Sequence, residues 1–313
     1  MTRRTVSVLI CTRNRPQQLL RCLESLLVLD YVLHEIIVVD NGSDSFTIPQ
    51  LNYPCPTRFY RQPVPGASYA RNTAVRHARG EILAWIDDDA TAHPDWLKHA
   101  IPNFDDPRIA CVTGRILPLE LKTEWQSKTW QSGGFPIGET ARMYDHNDLS
   151  PLSPWPGVNC NLLIRSVVAK SLPYAEWLGP GSRAEAGEEN YLFYKILRQG
   201  WSIFYDPKAV VYHDFPEKEK EYKTKVIQNS KSRGAYLTRF LLFEKGYRRL
   251  TLIHLIKKAL GIGSTKEEGV PSKLKAKGLI LGAFALFPSM RMAKKNSAVA
   301  AAGETLLAEF SGQ

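Results

Sequence analysis

Three consecutive aspartates, Asp87, Asp88 and Asp89, follow the apolar run "EILAWI". Adjacent carboxylates repel one another and are costly wherever water is scarce. In an extended segment alternate residues share a face, so Asp87 and Asp89 would aim at one point and Asp88 elsewhere. Hard oxygen donors of this kind suit Mg²⁺ or Mn²⁺ beside diphosphate oxygens. A solvated turn, or the capping of the helix that follows Pro94, is the plainer reading; capping accounts for one aspartate and not for three. His213 closes the apolar run "AVVYH" and is a strand-end histidine or a third metal ligand.

Other chemistry-bearing residues recur at the ends of strand-like runs. Thr12, Arg13 and Asn14 follow "VSVLIC" (6–11), and Asp40 ends "EIIVVD" (35–40) ahead of the turn formers Asn41, Gly42, Ser43 and Asp44. Asp40 is either a turn residue or an acceptor for a nucleotide's base or ribose. Arg71 lies in the first turns of "ASYARNTAVRHA" (67–78), where the helix dipole offers a cation nothing. It is a surface arginine or one that reaches a diphosphate or acidic partner. Glu188 and Glu189 open the helical segment 187–200, where the dipole favours acids and depresses their pKa. A general base there needs burial or an acidic neighbour to offset the dipole, and paired glutamates supply one.

These residues need a frame. Helical spacing in 16–29, the stripe Ala67, Ala70, Ala74 and Ala78, the strand-like "TRFYRQ" (57–62), "EILAWI" (81–86) and "IACVTGRI" (109–116), and a helix over 94–101 alternate along the chain. That alternation predicts an α/β fold with a mostly parallel sheet, which binds ligands beyond the carboxyl ends of its strands. Segment 118–160, rich in Trp, Pro, Gly and Ser, reads as long loops, with Trp155 offering a pocket an apolar face. "NLLIRSVV" returns to strand and helix, "WSIFYDP" and "AVVYH" read as two strands, and the chain turns helical and basic from about 217. There are no internal repeats.

An apolar content of 44% over 313 residues excludes a mostly disordered chain. Cys11, Cys22, Cys55, Cys111 and Cys160 are scattered without a C-x-x-C pair, which predicts neither a zinc site nor a disulfide framework. The short, β-branched apolar run at the start predicts no cleaved signal peptide. Residues 1–215 hold 22 Lys and Arg against 23 Asp and Glu, whereas residues 216–313 hold 19 against 8. The basic excess therefore points to an anionic membrane surface for the last third, or to helices packed on the catalytic domain or a second subunit. Its longest uncharged run, 278–290, is 13 residues, short of the ~20 a membrane span requires. No nucleic-acid motif accompanies the charge, so no nucleic-acid partner is expected.

Taken in order, "VSVLICTRNRP", "EIIVVDNGSDS", "GASYARNTAV", "ILAWIDDDATAHPDWL", "GVNCNLLIRSVV" and "AGEENYLFYKILRQGWSIFYDPKAVVYH" resemble the family 2 glycosyltransferases, inverting enzymes of the GT-A fold. The resemblance covers residues 5 to about 214. It implies a GT-A catalytic domain over 1–215, with nucleotide-sugar binding in about 1–116, the acceptor side in about 117–215, and a basic helical region over 216–313. It implies that Thr12, Arg13, Asp40 and Arg71 bind the nucleotide, that Asp87 and Asp89 form a DXD motif with Asp88 near the ribose, and that His213 completes a Mn²⁺ or Mg²⁺ site. Glu189 stands where the family has the base aspartate of a Glu-Asp pair, with Glu188 the alternative because this pair is Glu-Glu. The implied activity is transfer of a sugar from a UDP-, GDP- or dTDP-linked donor to a hydroxyl of a glycan or lipid-linked acceptor. By family analogy it serves surface polysaccharide or glycolipid assembly at the cytoplasmic face of the cell membrane. A non-catalytic nucleotide-sugar or lipid-binding protein on the same fold is the other reading, left open by the Glu-Glu pair.

Overall fold

The computed structural model describes residues 4–132, 138–149, 156–249, 251–253 and 272–312. Trp155 lies outside the described residues, as do residues 254–271 of the basic last third. The chain opens as expected from its periodicity: β1 (Val6–Thr12), α1 (Pro16–Leu26), β2 (Glu35–Asp40), β3 (Pro56–Arg61), α2 (Ala67–His77) and β4 (Ile82–Trp85). Strands β3, β2, β1 and β4 lie side by side and parallel, with Thr12 in register with Asp40.

β1 and β2 carry unbroken apolar runs because both of their faces are covered. Val8, Ile10, Ile36 and Val38 pack on one side against Leu19, Leu23 and Leu26 of α1. Leu9, Ile37 and Val39 pack on the other against Ala70 and Ala74 of α2. The alanine stripe lets α2 approach the sheet closely.

Beyond β4 the sheet turns mixed. After β5 (Ala90–Ala92) and α3 (Trp96–Ala100) come β6 (Ile109–Pro118), α4 (Glu124–Ser132) and β7 (Arg142–Tyr144). β8 (Leu162–Arg165), α5 (Ser166–Ser171), α6 (Glu188–Arg198) and β9 (Ser202–His213) follow. β8 runs antiparallel between β4 and β6, β9 is parallel to β6, and β5 and β7 each pair antiparallel with β9. The two strands expected over 201–213 are one. A register shift at Gly114/Arg115 skips from Asp206 to Val210, and this irregularity takes in Pro207, which has no N–H for the ladder.

Segment 118–160 is less loop-like than its composition suggests, since it contains α4. Gln126 N–H donates to Thr123 Oγ1 (3.3 Å) and Thr123 N–H to Gln126 Oε1 (3.0 Å). This is a capping box spelled T-E-W-Q.

The basic last third forms α7 (Glu219–Phe243), α8 (Ser272–Ala302) and β10 (Thr305–Ser311). β10 was not anticipated; it extends the sheet antiparallel to β3. α7 and α8 pack through glycine: a methyl group on Gly282 would overlap the carbonyl oxygen of Lys231. Gly282→Val therefore forces the two helices apart. We expect a loss of about 1–3 kcal/mol, the usual cost of overpacking, read as a lowered thermal midpoint; an unchanged midpoint would refute the close packing.

Candidate active site

The triplet sits at the carboxyl edge of the sheet, in a turn and not in an extended segment. Ala90 N–H donates to Asp87 O (3.1 Å), so Asp88 and Asp89 are the central residues of a turn joining β4 to β5. The face shared by Asp87 and Asp89 thus comes from β9 and not from strand alternation. Register sets His213 opposite Ala90. His213 Nε2 lies 3.1 Å from Asp89 Oδ1 and 3.9 Å from Asp87 Oδ2. Asp88 turns away into the fold, where Thr12 Oγ1 donates to its Oδ2 at 2.7 Å.

Sequence reasoning passed over Arg15. Its Nη1 reaches Asp88 Oδ1 (3.0 Å) and Asp89 Oδ2 (2.7 Å) from the mouth of the site. Asn14, at a φ of 54°, turns the chain out of β1 toward Pro16 and so aims Arg15 back over the triplet. That turn is stitched to the one after β2: Asn14 N–H donates to Ser43 Oγ (2.8 Å) and Asp44 N–H to Asn14 Oδ1 (3.0 Å). The signal available was the repeated arginine of "TRNRP". Arg13 is exposed.

Asp40 is fully buried. Ser43 N–H donates to its Oδ1 (3.1 Å), and Arg61 Nη1 lies 3.3 Å from its Oδ2. It therefore caps its own turn while keeping a cation beside it.

α2 presents Arg71 inward. The buried guanidinium donates to Glu188 Oε1, lies 3.7 Å from Asp87 Oδ1 and stands over the Tyr174 ring. Glu188 also accepts from Asn159 Nδ2 (3.4 Å). Glu189 is half-buried on the next position of α6. Gly187, at a φ of +86°, starts that helix in the left-handed region, and Ser232 of α7 leaves no room there for a Cβ.

Five carboxylates here face Arg15, Arg71 and His213, and the proton affinities of four of them are shifted by that crowding. Burial and then Asp89 push Asp88 up to about 6. Burial and then Glu188 push Glu189 up to about 8. Burial and Asp89 hold Asp87 above the usual carboxylate range against the pull of Arg71. Burial would lower His213, but Asp89 and Asp87 outweigh it and raise the imidazole to about 9. Against its own burial, the paired histidine holds Asp89 well below the usual range.

A divalent cation fits this chemistry. The donor atoms of Asp87, His213 and Cys160 lie within 4.8 Å of one another. Carboxylate oxygens with imidazole suit Mn²⁺ or Mg²⁺. Cys160 was not anticipated at the site; burial raises its thiol far above the ordinary range, and its soft sulfur matches Mg²⁺ or Mn²⁺ less well than the carboxylates do. Excess negative charge on Asp87 and Asp89 is what a cation would neutralise.

The mixed central sheet flanked by helices, with its site at the strand carboxyl ends, is the GT-A glycosyltransferase fold. Its likeness to a mannosyltransferase of Pyrobaculum calidifontis, solved with GDP-mannose and Mn²⁺, has a TM-score of 0.55 at 18% identity over 96% of this chain and 79% of that one. Residues 7–155 match the model of glycosyl transferase family 2. The chain is 27% identical over 222 residues to the pre-mycofactocin glycosyltransferase of Mycobacterium tuberculosis, covering 67% of this chain and 43% of that protein. It is 25% identical over 219 residues to the succinoglycan biosynthesis protein ExoM of Rhizobium meliloti, covering 68% and 67%. The chain thus spans under half the length of the mycobacterial relative. Residues 7–155 are thus similar to glycosyl transferase family 2, and about two thirds of the chain to a named glycosyltransferase and a succinoglycan biosynthesis protein.

The raised Glu189 pKa carries a sign that can be checked. A carboxyl that titrates near 8 folded and near its ordinary 4.5 unfolded keeps a proton the unfolded chain releases, so it erodes stability as pH rises through that window. Glu189→Gln removes the penalty. Its thermal midpoint relative to the parent is expected to climb from about pH 5 to about pH 8; a pH-independent difference would contradict the assignment.

Proposed function

We propose that the protein is an inverting, metal-assisted glycosyltransferase that moves a sugar from a nucleoside-diphosphate sugar to an acceptor hydroxyl. The observation that carries this reading is the convergence of Asp87, Asp89 and His213 with the Arg71–Glu188 pair and the proton-avid Glu189 at one sheet edge. Thr12, Arg13, Asp40 and Asp88 would line the nucleoside side, and Arg71 would face the diphosphate. Asp87, Asp89 and His213 would hold Mn²⁺ or Mg²⁺. Bound there, the ion would stabilise the charge that develops on the departing diphosphate. The Pyrobaculum neighbour, solved with a nucleotide-sugar and Mn²⁺, supports that assignment.

Glu188 is committed to Arg71, which leaves Glu189 as the base. A carboxylate with proton affinity near neutral pH accepts a proton from a hydroxyl better than an ordinary one does. As Glu189 takes the acceptor's proton, the freed oxygen attacks the anomeric carbon opposite the diphosphate. The new C–O bond forms as the bond to the diphosphate breaks, and a single displacement inverts the configuration. The named relatives, which include a polysaccharide biosynthesis protein, favour a glycan or lipid-linked acceptor in surface polysaccharide or glycolipid assembly. Such an acceptor would be met at the cytoplasmic face of the cell membrane.

A screen of UDP-, GDP- and dTDP-sugars with Mn²⁺ should raise the thermal midpoint with the true donor, since a ligand of the native state stabilises it by mass action. With that donor, Glu189→Gln is expected to bind normally and turn over about 10²–10⁴-fold more slowly, and Asp89→Ala to lose its response to Mn²⁺. An unchanged anomeric configuration in the product, by NMR, would refute inversion. Donor binding without turnover across acceptors would leave a binding protein instead.

A further inference from the structure

We propose that the outer face of α8 seats the protein on an anionic lipid surface. α8 has two unlike sides. One carries Gly278, Gly282, Leu286 and Ser289 and is buried, with the two glycines packed against α7. The other is an exposed stripe at helical spacing. Its centre is apolar: Ile280 is 60% exposed, Leu281 42%, Phe284 78% and Phe287 50%. Both ends are cationic: Lys273 and Lys277 precede the apolar centre, and Arg291, Lys294 and Lys295 follow it, all exposed. Residues 272–302 contain six Lys and Arg and not one Asp or Glu. Phe243, at the end of α7, widens the patch, its ring 6.2 Å from that of Phe287.

Large apolar side chains exposed together on a helix mark a surface that something covers. Charge selects the occupant. Two-fold packing of two copies about Phe284 would set each cationic end against its own copy or against the other cationic end. Both arrangements bring like charges together, which disfavours a second copy of this chain. A bilayer bearing anionic headgroups reverses the sign. The phenylalanines enter the acyl boundary, and the flanking lysines and arginine extend along the helix to the phosphates. A helix lying in the interface suits this composition: among the described residues, no helix is long and apolar enough to cross a membrane.

The proposal deepens the membrane-side reading given above, yet its test needs neither donor nor acceptor, so the two can fail separately. The full chain is sedimented with vesicles of phosphatidylcholine alone and of phosphatidylcholine mixed with phosphatidylglycerol. We expect binding to the mixed vesicles that weakens with salt, and little to the neutral ones. Phe284→Ser with Phe287→Ser, and separately Lys294→Glu with Lys295→Glu, should each lower the bound fraction about tenfold. These side chains are exposed, so thermal midpoints should hold; Lys273→Glu with Lys277→Glu adds a variant clear of all packing. Equal binding by parent and variants, or none by the parent, overturns the proposal. So does a dimer in sedimentation velocity that the phenylalanine variant dissolves, which would make the occupant a second copy.

Discussion

Carboxylates crowd the carboxyl edge of this sheet more densely than its own cations can neutralise, and much of the surrounding structure acts to hold them there. Left alone, Asp87, Asp88 and Asp89 would repel one another and draw water. Each instead has a separate outlet. Asp88 turns into the fold and accepts from Thr12, Asp89 pairs with His213 and Arg15, and Asp87 looks toward Arg71. The turn at 87–90 carries this fan-out, with Asp88 and Asp89 as its central residues and Asp87 at its start. What remains is a surplus of negative charge facing His213, which a divalent cation would relieve.

Arg71 links this edge to the rest of the molecule. A buried ion pair is costly to assemble and costlier to break on one side. Arg71–Glu188 is held from both directions: α2 lies flat on the sheet through its alanines, and α6 begins where Gly187 permits. The far end of α2 is fastened as well. Arg76 and His77 pair with Glu304, and Gln62, beside α2, donates to the carbonyl of Ala300 (3.0 Å). The last third of the chain thus grips the helix that carries the central arginine, and β10 then joins the sheet beside β3.

Much of this was legible in the residues. Strand–helix alternation identified the parallel half of the sheet, because burial of both faces leaves uninterrupted apolar runs in β1, β2 and β4. The candidate residues fall together because strand ends in such a sheet share an edge. Other features depended on partners distant in sequence. Nothing near Cys160 announces that it lies beside Asp87 and His213. Arg15 gains meaning only when the turn at Asn14 carries it over Asp88, 73 residues away. β10, spelled TLLAEFS without a clean alternation, is a strand because β3 offers an edge. α4 was obscured by its tryptophans, which face Tyr222 and the carbonyl of Ile116.

The adjacent glutamates show how one local arrangement yields two chemistries. Both begin α6, so both feel the same helix dipole, which favours ionisation. Glu188 gains a buried guanidinium as its partner. Burial, and then the carboxyl of Glu188 alongside, make ionisation costly for its neighbour, and Glu189 becomes proton-avid where an isolated first-turn glutamate would be acidic. A shorter aspartate at 189 would sit nearer the helix N-terminus and feel more of its dipole. The extra methylene therefore bears on proton affinity as well as reach, with Arg71 as the counterweight on Glu188.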